Sequence, residues 1–230
     1  MKREAIIFLF AGIGTIALLL LNLFSGAVSI PVSSVLRILS GGDVANASWR
    51  FIILESRLPQ SLTALFAGGA LSVCGLLMQA VFRNPLADPS ILGVSSGSGL
   101  GVALVLLLFG GGIGVGSISM GGFVAVLVAA FIGAIAVTAI MLVLSRMIRS
   151  NAMLLIMGVM TGYLSSSAIM LLNYFSSADG IRSYMLWGMG NFASVSLERL
   201  PLFVVVTSSC MVVSVLLVKP LNILLLGSQY

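Results

Sequence analysis

The chain has 230 residues, 60% of them hydrophobic and 7% charged, with 11 Lys/Arg against 6 Asp/Glu and no histidine. An ordinary globular domain carries roughly 25% charged residues, so water cannot be the main solvent for this surface. The composition is that of an integral membrane protein, and its basic balance reflects loop topology and gives no support to a nucleic-acid partner.

A spanning helix needs about 20 mostly apolar residues. Uncharged runs of that order occupy 5–36, 58–82, 89–145, 150–178 and 200–218. The third is too long for one helix, and its segment GGGIGVGSISMGG at 110–122 supplies a turn where no helix is favoured. Six helices are therefore predicted, near 5–24, 60–82, 91–109, 121–144, 151–172 and 200–218. The runs are continuous and do not alternate, which disfavours a barrel. The fold class is all-α, a polytopic transmembrane bundle forming a single domain over 1–230.

The first predicted helix follows Lys2-Arg3-Glu4 and ends before Ser25-Gly26-Ala27, small residues that would also suit cleavage of a secretory signal. It exceeds the roughly 7–15 apolar residues of a signal core, which favours a retained helix. With a cytoplasmic N-terminus, six helices put Lys2, Arg3, Arg83, Arg146, Arg149 and Lys219 inside, and Arg37, Arg50, Arg57, Arg182 and Arg199 outside. The totals barely differ. The short inner loops favour this orientation, since the outer positives lie in longer loops that also carry Asp43, Glu55, Asp179 and Glu198. Cys74 and Cys210 fall inside predicted helices, which suits buried thiols better than a disulfide framework.

Several chemistries have no residues to carry them. No ionisable side chain falls near the middle of a predicted span, where proton and ion relays place theirs. The only lysines are Lys2 and Lys219, so no phosphate-binding G-x-x-x-x-G-K-[ST] loop exists. Without histidine, and with two scattered cysteines, neither haem ligation through histidine nor a structural zinc site is expected, and no cofactor is called for.

Small residues stripe two helices. Gly68, Ser72 and Gly75 share one face, and Gly158, Gly162 and Ser166 repeat every four residues, so backbones can approach closely there. Helix packing explains both stripes; alternatively, Gly158, Gly162, Ser165 and Ser166 form a polar lining along a substrate path. Met153, Met157, Met160 and Met170 lie on the same helix and suit either a surface that repacks or lipid-facing filler.

Between the second and third helices stands RNPLADPSILGVSSGSG, residues 83–99. Pro85 and Pro89 lack backbone donors and bias the residues before them away from the helical region, so the second helix must stop near Arg83. Asp88 or Ser90 can then cap the helix that follows. A capped cytoplasmic turn explains the prolines alone.

The longer string does more. Residues 57–99, RLPQSLTALFAGGALSVCGLLMQAVFRNPLADPSILGVSSGSG, resemble the signature of the permease family that imports iron-siderophores, haem and vitamin B12. That signature runs R-L-P-R, a small-residue helix with a Gly and a Gln, N-P-L-A-x-P-x-x-L-G, then a Gly/Ser-rich helix; Asn84, Pro85, Asp88, Pro89 and Gly93 fall in it here. Trp187-Gly188-Met189-Gly190, Leu221-Asn222 and Leu226-Gly227 are supporting matches.

The resemblance implies a type II ABC importer permease in the bacterial cytoplasmic (inner) membrane. Its subunits would have ten helices and form a homodimer with a second permease copy on two cytoplasmic ATP-binding subunits, fed by a periplasmic substrate-binding protein. ATP chemistry would sit in the partner, and the permease itself would not be an enzyme. Arg50 and Arg57 would meet acidic residues of the binding protein, although the family's second Arg in R-L-P-R is Gln60 here. Residues 219–230 would begin the coupling segment, with Leu221, Asn222, Leu225 and Gly227 toward the ATPase. Six helices of an expected ten imply a chain shortened at its C-terminus. A non-transporting or relict scaffold subunit is the alternative, followed by a secondary carrier. The small, uncharged lining residues do not name the chelate.

Overall fold

A computed structural model describes residues 2–44, 46–108, 120–148, 150–190, 192 and 195–226. The six predicted helices are α1 (Lys2–Phe24), α4 (Leu58–Phe82), α5 (Val94–Leu108), α6 (Met120–Met147), α7 (Asn151–Phe175) and α9 (Leu200–Leu216). Among the described residues, shorter helices join them: α2 (Val32–Leu39), α3 (Ala47–Phe51), α8 (Ala178–Gly188) and α10 (Val218–Leu226). Most of the turn expected at 110–122 lies outside the described residues.

Among the described residues, four helical stretches are long and apolar enough to cross a membrane: Arg3–Phe24, Ala47–Phe82, Gly122–Met147 and Ala152–Phe175. At 1.5 Å per residue, α9 reaches only about 26 Å, short of the roughly 30 Å hydrocarbon core. Large apolar side chains cover the outside, with Phe8 78%, Phe10 70%, Leu76 70% and Leu164 73% exposed. In water these would be an aggregation surface; against lipid they need no cover.

Two helix starts differ from the sequence reading because of a proline. The second helix does not begin at 60. It runs unbroken from Ala47 through a π-helical segment, Ile52–Arg57, into α4. Pro59 is the second residue of α4 and cannot donate to the turn before it, and the wider i→i+5 turn immediately upstream relieves that mismatch. The third helix starts at Val94 because Pro89–Leu92 form a 3₁₀ turn, closed by Gly93 at φ 74°. A further correction concerns the thiols. Cys74 and Cys210 lie within helices as expected, yet both are exposed, because an apolar helix in lipid turns apolar residues outward as readily as inward.

The chain divides into two units, Met1–Ala70 with Phe192–Val215, and Leu71–Asn191 with Leu216–Tyr230. In the first, Ile30, Val35, Ile38 and Ile53 form a buried cluster, flanked by Phe24, Trp49 and Leu54. Val35 and Ile38 come from α2, a short amphipathic helix that lays its apolar stripe on the π segment.

In the second unit α5 packs against α6, α7 and α8. Its contact with α6 is made by backbone. A Cβ added at Gly101 would lie 2.1 Å from the Ala129 carbonyl oxygen, and one at Gly133 would lie 2.1 Å from that of Gly97. Val102 and Leu106 of α5 then pack on Val126, with Tyr184 and Trp187 of α8 alongside. The Ser176 hydroxyl donates to the Leu107 carbonyl at 2.9 Å and ties the start of α8 to the end of α5.

The contact geometry separates two kinds of glycine. Gly101→Ala or Gly133→Ala forces backbones apart and is expected to cost about 1–3 kcal/mol, the range of overpacking. Gly75→Ala meets no atom within 4 Å and should be neutral, or stabilising by up to about 1 kcal/mol through helix propensity. Thermal unfolding of the detergent-solubilised variants checks the contrast; equal midpoints for Gly101→Ala and Gly75→Ala would refute it.

Candidate functional site

The 83–93 loop is built from its own side chains. Arg83 ends α4 in the left-handed region at φ 49°, the only non-glycine residue to do so among those described. The Asn84 side-chain oxygen accepts the Leu86 backbone N–H at 2.9 Å, an Asx turn that carries the chain through Pro85. Gln79, one turn before the end of α4, donates its side-chain N–H to the Pro85 carbonyl at 3.0 Å. Leu86 is left 83% exposed at the tip, while Ala87 is buried.

Asp88 caps the 3₁₀ turn. Its carboxylate accepts the Ser90 backbone N–H at 2.7 Å and the Ser90 hydroxyl as well. Those two bonds hold the carboxyl below its ordinary pKa, the hydroxyl contributing most. Pro89 occupies the first position, where its missing N–H costs nothing.

The turn is pressed against α7. A Cβ at Gly158 would lie 2.3 Å from the Ile91 carbonyl oxygen, and one at Gly93 would lie 3.0 Å from that of Gly158 and 3.6 Å from the Gly162 nitrogen. A Cβ at Gly162 would lie 3.3 Å from the Ser96 hydroxyl. Ser165 is buried and donates to the Thr161 carbonyl at 3.0 Å. Of the four residues considered as a path lining, Gly158 and Gly162 thus meet Gly93 of the loop motif and the start of α5, and Ser166 alone is exposed.

In the other unit, Arg57 closes the π segment. It is 6% exposed; its guanidinium donates to the Leu23 carbonyl at 3.0 Å and to the Val28 carbonyl. These oxygens lie at and just beyond the carboxyl end of α1, where the helix dipole favours a cation. Gly26 makes the room, since a Cβ there would stand 2.7 Å from the guanidinium. The Ser61 hydroxyl, one turn on, donates to the Arg57 carbonyl at 2.7 Å and lies 2.8 Å from the Asn22 side chain. A guanidinium held this way is not presented to a partner, contrary to the docking contact expected of Arg57. Arg50 differs: its side chain is 47% exposed and forms a 3.5 Å ion pair with the fully exposed Asp43.

At the C-terminal end, α10 contains Leu221, half-buried, and Asn222, exposed; Leu225 belongs to the same helix, and Gly227 lies outside the described residues. Pro220 is its third residue, compatible with a first turn whose N–H groups have no intrahelical partner. Among the described residues no group of three or more His, Cys, Asp or Glu is placed to hold a metal.

The sequence matches the profile of the FecCD transport family over residues 14–230. The chain belongs to the FecCD transport family. Relatives similar to it include the hemin transport system permease of Yersinia pestis, 33% identical over 222 residues, covering 94% of this chain and 64% of that protein. The vitamin B12 import system permease of Klebsiella pneumoniae is 37% identical over 186 residues, covering 81% of this chain and 54% of that protein. An inward-facing structure assigned to a metal-chelate type ABC transporter superposes with a TM-score of 0.72 at 28% identity, covering 94% of this chain and 65% of its own. This FecCD chain therefore spans 54 to 64% of the length of the two permeases.

Sequence reasoning missed three FecCD residues of structural weight, Gly97, Gly101 and Gly133. Gly97 and Gly101 stand four apart in an apolar helix, a G-x-x-x-G spacing that was open to reading. Nothing in the sequence marked Gln79 as the residue that fastens Pro85.

The lowered pKa of Asp88 fixes a pH dependence. Its stabilisation of the turn is fully present above the ordinary value of 3.8 and is lost as pH falls through the lower folded value. Carboxyl chemical shifts of the detergent-solubilised protein should give a midpoint below 3.8 for Asp88; a midpoint at or above it would show that the Ser90 bonds do not form.

Proposed function

We propose that this chain is the membrane-spanning permease part of an ATP-driven importer for chelates of the iron-siderophore, haem or cobalamin type. The observation that carries the reading is the family match over residues 14–230, joined to a fold shared with a metal-chelate type ABC transporter. In the reading, cytoplasmic ATP-binding subunits drive the transport, a periplasmic protein delivers the cargo, and a second permease copy completes the path in the cytoplasmic membrane. The N-terminus is cytoplasmic. The loop at 83–93 and α10 then lie on the ATPase side, with Leu221, Asn222, Leu225 and Gly227 toward the coupling contact. The exposed side of α7 that carries Ser166 faces the path, while Gly158, Gly162 and Ser165 hold α7 in place.

The energy source is testable. Uptake of radiolabelled haemin, cobalamin and a ferric siderophore is measured in vesicles holding the permease with its partners, once with a protonophore and once with an ATPase-dead partner. Transport should stop with the dead ATPase and continue with the protonophore, because no described span carries an ionisable relay. The opposite pattern rules the reading out.

Docking of the binding protein falls to Arg50. Arg50→Glu should slow association, and do so less at high salt, because steering by exposed charge is screened. Arg57→Gln should leave the association rate unchanged while lowering thermal stability by about 1.5–3 kcal/mol, the worth of hydrogen bonds from a charged group. Stopped-flow association and thermal unfolding separate the two; a slowed rate for Arg57→Gln alone would reverse the assignment.

A further inference from the structure

Helix α2, in the first unit, carries more apolar surface than the protein covers. At about 100° per residue, Ile38, Val35, Leu39, Val32 and Leu36 fall in that order around one apolar arc of roughly 160°, while Ser33, Arg37 and Ser34 make up the polar side. The core takes only one end of the arc. Val35 and Ile38 are buried with Ile53 of the π segment, whereas Val32 is 54%, Leu36 55% and Leu39 40% exposed.

The depth of α2 in the membrane follows from the helices it packs on. The 22 residues of Arg3–Phe24 extend about 33 Å, so α1 needs its whole length to cross the roughly 30 Å hydrocarbon core, and its carboxyl end stands at the boundary. The π segment packs against α1, and Arg57 fastens it there through the Leu23 and Val28 carbonyls. Ile53, the contact of α2, is four residues further out, about 6 Å at helical rise. The headgroup layer is about 5–7 Å deep on each face. α2 therefore lies within that layer. Phe24 and Trp49 pack on the same cluster, and Trp is a residue enriched at this depth. The lipid-facing surface of α1, with Leu21 61% exposed, is followed along the chain by Val28, 44% exposed, and then by the uncovered arc.

We propose that α2 is an interfacial helix, with Val32, Leu36 and Leu39 seated among phospholipids at the bilayer face where α1 ends and its Ser33–Arg37 side turned to water and headgroups. The inference rests on the membrane location of the helices and is independent of which cargo is imported. Phospholipid surrounds the exposed side of α1 at this depth, so the arc is covered without any protein partner. Held by lipid on one flank and by Ile53 on the other, α2 fixes the height at which the π segment and α3 leave the bilayer, and with it the height at which Arg50 is presented.

The protein carrying Cys74→Ala and Cys210→Ala, which remove its two thiols, receives one new cysteine at a time at an exposed position of α2: Leu36→Cys, Leu39→Cys or Ser33→Cys. Each is nitroxide-labelled and reconstituted into phosphatidylcholine liposomes. Collision of the label with oxygen, which concentrates in lipid, is compared by electron paramagnetic resonance with collision with a polar nickel chelate, which stays in water. The oxygen-to-nickel ratio at Leu36 should exceed that at Ser33 roughly five-fold, since an interfacial helix buries its apolar side about 5–10 Å into the boundary between headgroups and acyl chains. Leu39→Cys, on the same arc, gives an independent reading with the same expected ratio. A ratio at Leu36 and Leu39 no higher than at Ser33 places the arc in water and overturns the proposal. An immobilised label at these positions that neither reagent reaches shows that protein covers the arc, whether a second copy or another segment of the chain, and overturns it equally.

Discussion

The backbones of α5 and α6 touch where Gly97 and Gly101 meet Ala129 and Gly133, and the second unit is organised around that contact. In lipid the hydrophobic effect does not draw helices together, because the tails outside are as apolar as the side chains inside. What remains is close packing, and its strength falls quickly with distance. Removing side chains at the crossing lets two helices approach until carbonyls meet Cα atoms. The buried cluster of Val102, Leu106 and Val126 can form only once that separation is set. Glycine here is selected for what it leaves out, at the cost in helix propensity that a tightly packed neighbour offsets.

The 83–93 turn depends on the same economy of space. Gly93 supplies the left-handed backbone that closes the 3₁₀ segment, and Gly158 of α7 admits the Ile91 carbonyl. Either glycine alone would leave the turn displaced from α7. The particular string of Asn, Pro, Asp, Pro and Gly in this loop then has a division of labour: Asn84 turns the chain, Asp88 restarts it, and Gly93 fits it against the next helix. In the other unit a charge plays the equivalent part. Arg57 is buried without a carboxylate among its described partners, and carbonyl oxygens at the end of α1 supply the compensation.

The long helices were legible because uncharged runs of membrane length have few other outcomes. Their ends were legible only where a proline or a capping residue stood in the chain, as at Arg83 and Asp88. The π segment was not, since Ile52–Arg57 differs from ordinary helix by a hydrogen-bond register that no local residue pattern announces. The exposed thiols and the buried Arg57 were misjudged for one reason. In water, polarity predicts burial; in lipid, Cys74 can face outward at no cost, and an arginine near a helix end can turn inward to carbonyls that would otherwise stay unpaired. For the candidate site, the loop motif could be read in outline, while the choice between packing and path lining for Gly158 and Gly162 needed the position of α7 against the 3₁₀ turn.

The π turn ahead of Pro59 has a consequence for phase. One wide turn takes up one residue more than an α turn, and each residue of an α-helix advances the direction of its side chain by about 100°. Residues before 52 therefore point in directions that a continuous α-helix through 47–82 would not give them, although the axis runs on without a break. Arg50 and Arg57 are seven apart, a spacing that would bring both to one face of a regular helix. The extra residue between them turns one guanidinium out beside Asp43 and leaves the other folded under Gly26. An insertion or deletion of a single residue in this segment would act as a rotation, exchanging which residues are offered and which are hidden without changing any of their identities.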